Sequence, residues 1–138
     1  MHELWKHDLQ GYIDFLVEHR FNAVRLPLSA QIVGENQEVG GLCGEYYGWQ
    51  SLDILDDLVL KLQRVGIFVM FDMHTLEIDV NNGMWCYTDV WGDCDTSAET
   101  LVWDAWETLA RRYCSSPNVI AADLFNEPVR WHALHLFS

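Results

Sequence analysis

Three times along this chain a helical pattern of apolar residues gives way, within a few residues, to a short apolar run. In the first unit Leu9, Tyr12, Ile13, Leu16 and Val17 recur at helical spacing. Glu18-His19-Arg20 then leads into Phe21-Asn22-Ala23-Val24-Arg25-Leu26-Pro27, and Pro27, which has no N–H to donate, is expected to end the strand. The second unit opens on Ser51 as N-cap and places Leu52, Leu55, Val59 and Leu62 on one face. Gly66 stops that helix, and Ile67-Phe68-Val69-Met70-Phe71 predicts a strand ending in Asp72-Met73-His74. The third begins with the capping-box pattern Thr96-x-x-Glu99 and runs through Val102, Trp106, Leu109 and Tyr113. Ser115-Ser116-Pro117 breaks it, and Asn118-Val119-Ile120-Ala121-Ala122-Asp123-Leu124-Phe125 is the third strand.

The runs are almost continuously apolar, as expected of parallel strands covered on both faces, with the helices as crossovers. The class is α/β, and the same-handed repetition suits either a barrel or a doubly wound sheet. Connections from helix to strand are short, whereas those from strand to helix are long, roughly residues 30 to 50 and 75 to 96. In parallel α/β folds the site lies on the side of those long loops, at the C-terminal ends of the strands. Arg25, Asp72, His74, Asn126 and Glu127 all collect there. No glycine-rich phosphate loop follows a strand, which argues against a nucleotide site.

A length of 138 residues, half of them hydrophobic, suits one domain with its own core. The net charge of -13 repels nucleic acid and anionic membranes and favours a neutral or cationic partner. No stretch approaches the roughly 20 apolar residues that span a bilayer. The N-terminal Met1-His2-Glu3-Leu4-Trp5-Lys6-His7-Asp8 carries charge where a signal peptide needs its apolar run. Cys43, Cys86, Cys94 and Cys114 lack zinc-site spacing. A Cys86–Cys94 bridge is open to an oxidising compartment, and Cys114, at the end of a helical pattern, is expected to be a buried thiol.

Glu127 ends a buried strand beside Asn126 and before Pro128, a setting in which desolvation raises a carboxyl towards neutrality. Such a carboxyl donates a proton to a leaving group and then takes one from water. The plainer alternative is a strand-end glutamate facing solvent. At these residues the chain resembles a known family. Phe21 to Pro27, Gly66 to His74, and Pro117 through Asn126-Glu127-Pro128 look like consecutive segments of glycoside hydrolase family five, the cellulase family.

That resemblance implies a (β/α)8 barrel and hydrolysis of β-glycans with retention of configuration, cellulose or another β-1,4-glucan being the expected substrate. It implies an extracellular parent protein and no cofactor or metal. Glu127 would be the general acid/base, and Asn126 would bond the 2-hydroxyl of the sugar being cleaved. Arg25 would hold the nucleophilic carboxylate, a task suited to its fixed fork and permanent charge. His74 would contact the sugar near the cleavage point. The plain alternatives are a structural ion pair for Arg25 and a satisfied strand-end histidine for His74.

Aromatic faces pack on the C–H faces of pyranose rings, and the long loops carry Tyr46, Tyr47, Trp49, Trp85, Tyr87 and Trp91. Trp85, Trp49 and Tyr46 are the expected sugar platforms, and the others pack under a loop. Trp103 and Trp106 fall on a helix as core or helix-surface residues. Asp72 and His74 also have the spacing of ligands in metal-dependent barrel hydrolases, but no second His or Asp cluster supports them. Asp89, Asp93 and Asp95 suit a solvated turn more than a calcium loop.

A retaining glycosidase needs a second carboxylate roughly 5 Å from the first. The family places it on the seventh strand, and a full barrel needs about 250 residues. The expectation is therefore a truncated catalytic domain over residues 1–138. Its barrel-like part covers about 5–128, corresponding to strands two to four, and an atypical tail covers 129–138. Asp72, Glu77 and Asp123 are candidate substitutes by position, though none matches the family's nucleophile, and Asp123 in mid-strand is expected to be structural. The isolated chain is expected not to hydrolyse glycosides and to associate with itself. The competing readings are a non-catalytic glycan-binding chain and a metal-dependent barrel hydrolase.

Overall fold

The computed structural model describes residues 8–40, 44–77, 87–88 and 94–127, the side chains of 87–88 and 94–99 excepted. Helix α1 (Leu9–Glu18) is capped by Asp8, whose carboxylate accepts from Gly11 N–H. It buries Leu9 and Ile13 and hands over to strand β1 (Ala23–Ser29). Helix α3 (Ser51–Arg64) buries Leu52, Ile54, Leu55, Leu58, Val59 and Leu62 and precedes β2 (Phe68–Thr75). Gly66, at φ 76, makes the turn between them in a conformation that L side chains rarely adopt. Helix α4 (Thr96–Tyr113) then precedes β5 (Val119–Asp123). The three helix–strand units expected from the sequence are present, and their strands form one parallel sheet in the order β1-β2-β5.

Between β1 and α3 lie a short helix α2 (Ala30–Glu35) and a 3-10 turn (Gly44–Tyr46), where the sequence suggested only loop. Ser29 caps α2 by accepting from Ile32 N–H. A two-residue ribbon pairs β3 (Tyr87–Thr88) with β4 (Cys94–Asp95) ahead of α4. Cys43, Cys86 and the side chain of Cys94 lie outside the described residues, as do Asp89 and Asp93 and the tail 129–138.

Four sequence expectations change. Pro27 does not end β1: the strand continues to Ser29, with Pro27 opposite Asp72. It is tolerated because β1, among the described residues, is bonded to a neighbour on one side only. Ser51 is the first residue of α3 rather than its cap, and Asn36 Oδ1 accepts from Leu52 N–H instead. Cys114 is exposed, because Tyr113 takes the inward position at the end of α4.

The fourth change concerns the sheet faces. Val24, Leu26 and Leu28 alternate with Ala23, Arg25 and Pro27, and the first set packs on the helices with Val69, Phe71 and Met73 of β2. On the opposite face Phe68, Ala121 and Arg25 are exposed, and His74 is half-buried. The strands therefore have a helix-covered face and an opposite face that the described residues leave uncovered. Asp72 alone is fully buried there.

Candidate active site

Parallel in-register pairing decides which polar side chains meet. Pro27, Asp72 and Asp123 are opposite one another on β1, β2 and β5. Side chains two residues apart share a face, so Arg25 and His74 join Asp72 and Asp123 on the same side of the sheet. Arg25 is the hub of this group. Its Nη1 lies 3.1 Å from Asp72 Oδ2. Its Nη2 donates to Asp123 Oδ2 at 2.9 Å and to Asn126 Oδ1 at 2.8 Å. His74 Nδ1 lies 2.7 Å from the same Asp72 oxygen that faces Arg25.

The backbone around Asn126 is held as firmly as its side chain. Asn126 N–H donates to Met73 O at 2.9 Å, which continues the β2–β5 contact past the last strand residue. Trp106 Nε1 donates to Leu124 O at 3.0 Å from α4, on the other side. Glu127 follows in the left-handed region at φ 45. For a glutamate that conformation costs roughly 1–2 kcal/mol, and such strain collects at functional positions. Its side chain is exposed, so the burial expected from a strand-end position is not supplied by the described residues.

The structure thus brings Arg25, His74 and Asn126 into one cluster of hydrogen bonds and an ion pair, His74 joining through Asp72, with Glu127 the next residue along the chain. Sequence reasoning underrated two members. Asp123 ends β5 and binds Arg25 across 98 residues of chain, where mid-strand placement had suggested a purely structural role. Helical spacing makes Trp106 a core or helix-surface residue, and nothing in that spacing signals that its indole reaches a strand-end carbonyl. Asp72 also drops out as a substitute nucleophile, because it is 0% exposed and its Oδ2 is already taken. As metal ligands Asp72 and His74 fare no better: a guanidinium occupies the place of the cation. Among the described residues no three His, Cys, Asp or Glu side chains gather to hold an ion.

The expected sugar platforms separate. Tyr46 is 2% exposed and packs against α3, its hydroxyl donating to Asp57 Oδ2 at 2.6 Å and accepting from Lys61 Nζ at 3.1 Å. Burial, and then the Asp57 carboxylate, push its phenol up to about 12. A ring so enclosed has no face to offer a sugar, and Tyr46 is a packing residue. Trp49 stands edge-on to Tyr46 at 5.4 Å and is 44% exposed, so one surface remains open. Trp85 and Trp91 lie outside the described residues, and so does the side chain of Tyr87.

Helix–strand units in a parallel sheet, with polar side chains gathered on one face of it, are an arrangement that a portion of a (β/α)8 barrel has. The family model described as Cellulase (glycosyl hydrolase family 5) matches residues 1–133, and the chain belongs to that family. An endoglucanase of Paenibacillus polymyxa is 28% identical over 134 residues, covering 93% of this chain and 32% of its own length. The major extracellular endoglucanase of Xanthomonas campestris is also 28% identical, covering 93% of this chain and 26% of its own length. Among solved structures, an endocellulase from Pyrococcus horikoshii in complex with cellotetraose superposes with a TM-score of 0.77 at 28% identity. That match covers 92% of this chain and 33% of the endocellulase. The chain spans about a third or less of the length of the curated relatives it matches.

Proposed function

We propose that this chain supplies the acid/base half of a retaining β-glycanase site, acting on β-1,4-glucan outside the cell. The observation that carries the reading is the Arg25 hub, which bonds Asn126, the residue before Glu127, and pairs with Asp72 of β2 and Asp123 of β5. Glu127 protonates the departing glycosidic oxygen and then, as a carboxylate, deprotonates the water that releases the sugar. Its exposure suits that task, because the leaving-group oxygen has to reach it. Asn126 bonds the sugar hydroxyl next to the reacting carbon, and His74 contacts the same ring. Trp49 provides an open aromatic face for a neighbouring pyranose.

In this reading the nucleophilic carboxylate is the one the family places on the seventh strand of the barrel, outside these 138 residues. Asp72 is sealed and Asp123 is held by Arg25, which leaves neither free to attack an anomeric carbon. Residues 1–138 are accordingly a portion of a catalytic domain, with the barrel part at about 5–128. The preference for β-1,4-glucan follows the cellotetraose bound by the Pyrococcus endocellulase, and the extracellular setting follows the name of the Xanthomonas relative.

The test is hydrolysis of an aryl β-cellobioside by the chain alone and by a polypeptide extended with the sequence that follows it in the gene. The chain alone is expected to show no turnover. The extended protein is expected to hydrolyse the substrate, and Glu127→Gln to lower its rate about 100- to 10,000-fold when the leaving group is poor. An activated leaving group needs no proton, so there the acid step loses its weight and the deficit narrows. Full activity in Glu127→Gln with a poor leaving group, or turnover by the chain alone, overturns the reading.

A further inference from the structure

Asn126 and His74 each have a chemical ambiguity that the cluster around Asp72 removes. Both hydrogens on Arg25 Nη2 are committed, to Asp123 Oδ2 and Asn126 Oδ1. A guanidinium only donates, so the oxygen of the Asn126 amide has to face it and the NH2 group points elsewhere. Asp72 Oδ2 forms an ion pair with Arg25 Nη1 at 3.1 Å and lies 2.7 Å from His74 Nδ1. That contact is a bond when Nδ1 carries the hydrogen, which leaves Nε2 of the neutral ring as an acceptor. All of the pairing falls on one oxygen of Asp72. Its Oδ1 is buried with no partner among the described residues. A carboxylate sealed in this way is a poor device for stability and calls for another role.

We propose that Asp72 is a positioning residue that presets the polarity of the site, directly at His74 and through Arg25 at Asn126. Asn126 then offers a hydrogen-bond donor and His74 an acceptor. In the glycan reading, on which this consequence rests, the hydroxyl at Asn126 accepts and the hydroxyl at His74 donates. The arrangement selects a sugar with free hydroxyls at both places and rejects one whose hydroxyl at His74 is methylated or replaced by fluorine.

The polarity is measurable without a sugar. Nitrogen-15 NMR of the histidine rings in the 138-residue chain reads the tautomer, and His74→Gln assigns the signal. The Nδ1–H form of His74 is expected to exceed the Nε2–H form by on the order of tenfold, the effect of one hydrogen bond to a charged group. In Asp72→Leu, which keeps bulk and removes the acceptor, the preference should vanish while the other histidines stay as they are. A His74 ring found mainly as Nε2–H in the unsubstituted chain overturns the proposal, as does an Nδ1–H preference that survives Asp72→Leu. The unsubstituted chain decides the matter even if the variant does not fold. Because no glycan or turnover enters, a failure here is distinct from a failure of Glu127-dependent hydrolysis.

Discussion

Asn36 shows how much a single side chain arranges. It ends α2 in the left-handed region at φ 45, and its Oδ1 accepts from Leu52 N–H at 2.9 Å to start α3. Asparagine tolerates that backbone, and its short amide reaches an orphan helix donor. Asn36→Ala should destabilise the protein by about 2 kcal/mol, roughly half from the lost cap and half from the strained backbone. Asn36→Gly keeps the backbone comfortable and should cost only the cap, about 1 kcal/mol. Urea unfolding of the two variants checks this, and equal losses would refute the division. Local chemistry hinted at a cap near this place but named Ser51, because the sequence does not show that Asn36 folds back across the intervening loop. At the site, Glu127 and Asn126 are recognisable as a pair from their neighbours alone. Asp123 is not, since its partner Arg25 is distant in the chain.

Elements are joined by charge as well as by packing. Arg112 on α4 donates to Asp53 and Asp56 on α3, and Tyr113 Oη donates to Asp56 Oδ1 at 2.7 Å. Burial on its own would raise the Asp56 carboxyl, but the bonds from Arg112 and Tyr113 outweigh it and hold the group below the usual carboxylate range. A depressed folded-state value contributes stability that is complete above the unfolded value, about pH 4, and is lost as pH falls through the folded value. The melting temperature is therefore expected to be level near neutrality and to drop in that acid window. Asp56→Asn should lower stability near neutral pH by about 1 kcal/mol or less, since the pair is well exposed, and should make the acid decline shallower. A variant with an unchanged acid profile would show that the bridge does not link α3 to α4 energetically. Helical spacing identified both helices, and their register against each other was invisible to it.

Across the whole molecule the decisive property is the pair of open sheet edges among the described residues. Among the described residues β1 and β5 are the outer strands, and Ile120 and Leu124 are 59% and 70% exposed beside the small residues Ala121 and Ala122. An apolar strand with unpaired N–H and C=O groups is a template for another chain. The charge of -13 works against such pairing by mutual repulsion. Self-association of the 138-residue chain is accordingly expected to rise with concentration and with added salt, which screens that repulsion. Ile120→Lys should suppress it. Sedimentation of a single monomeric species at low and high salt would count against an adhesive edge.

What the sequence determined by itself is the succession of helices and strands, the parallel α/β class, and the Asn126-Glu127 pair with the family it marks. Those follow from local physics: apolar spacing, the backbone freedom of Gly66, and a few residue types at a strand end. Tertiary structure alone decided that Pro27 lies inside a strand, that Tyr46 is enclosed while Trp49 stays open, and that the described residues leave one face of the sheet uncovered. It also decided that Asp72, Asp123 and Asn126 converge on Arg25. The convergence on Arg25 depends on register between strands tens of residues apart, and a shift of one residue would send every side chain to the other face; the enclosure of Tyr46 depends on how its turn packs on α3.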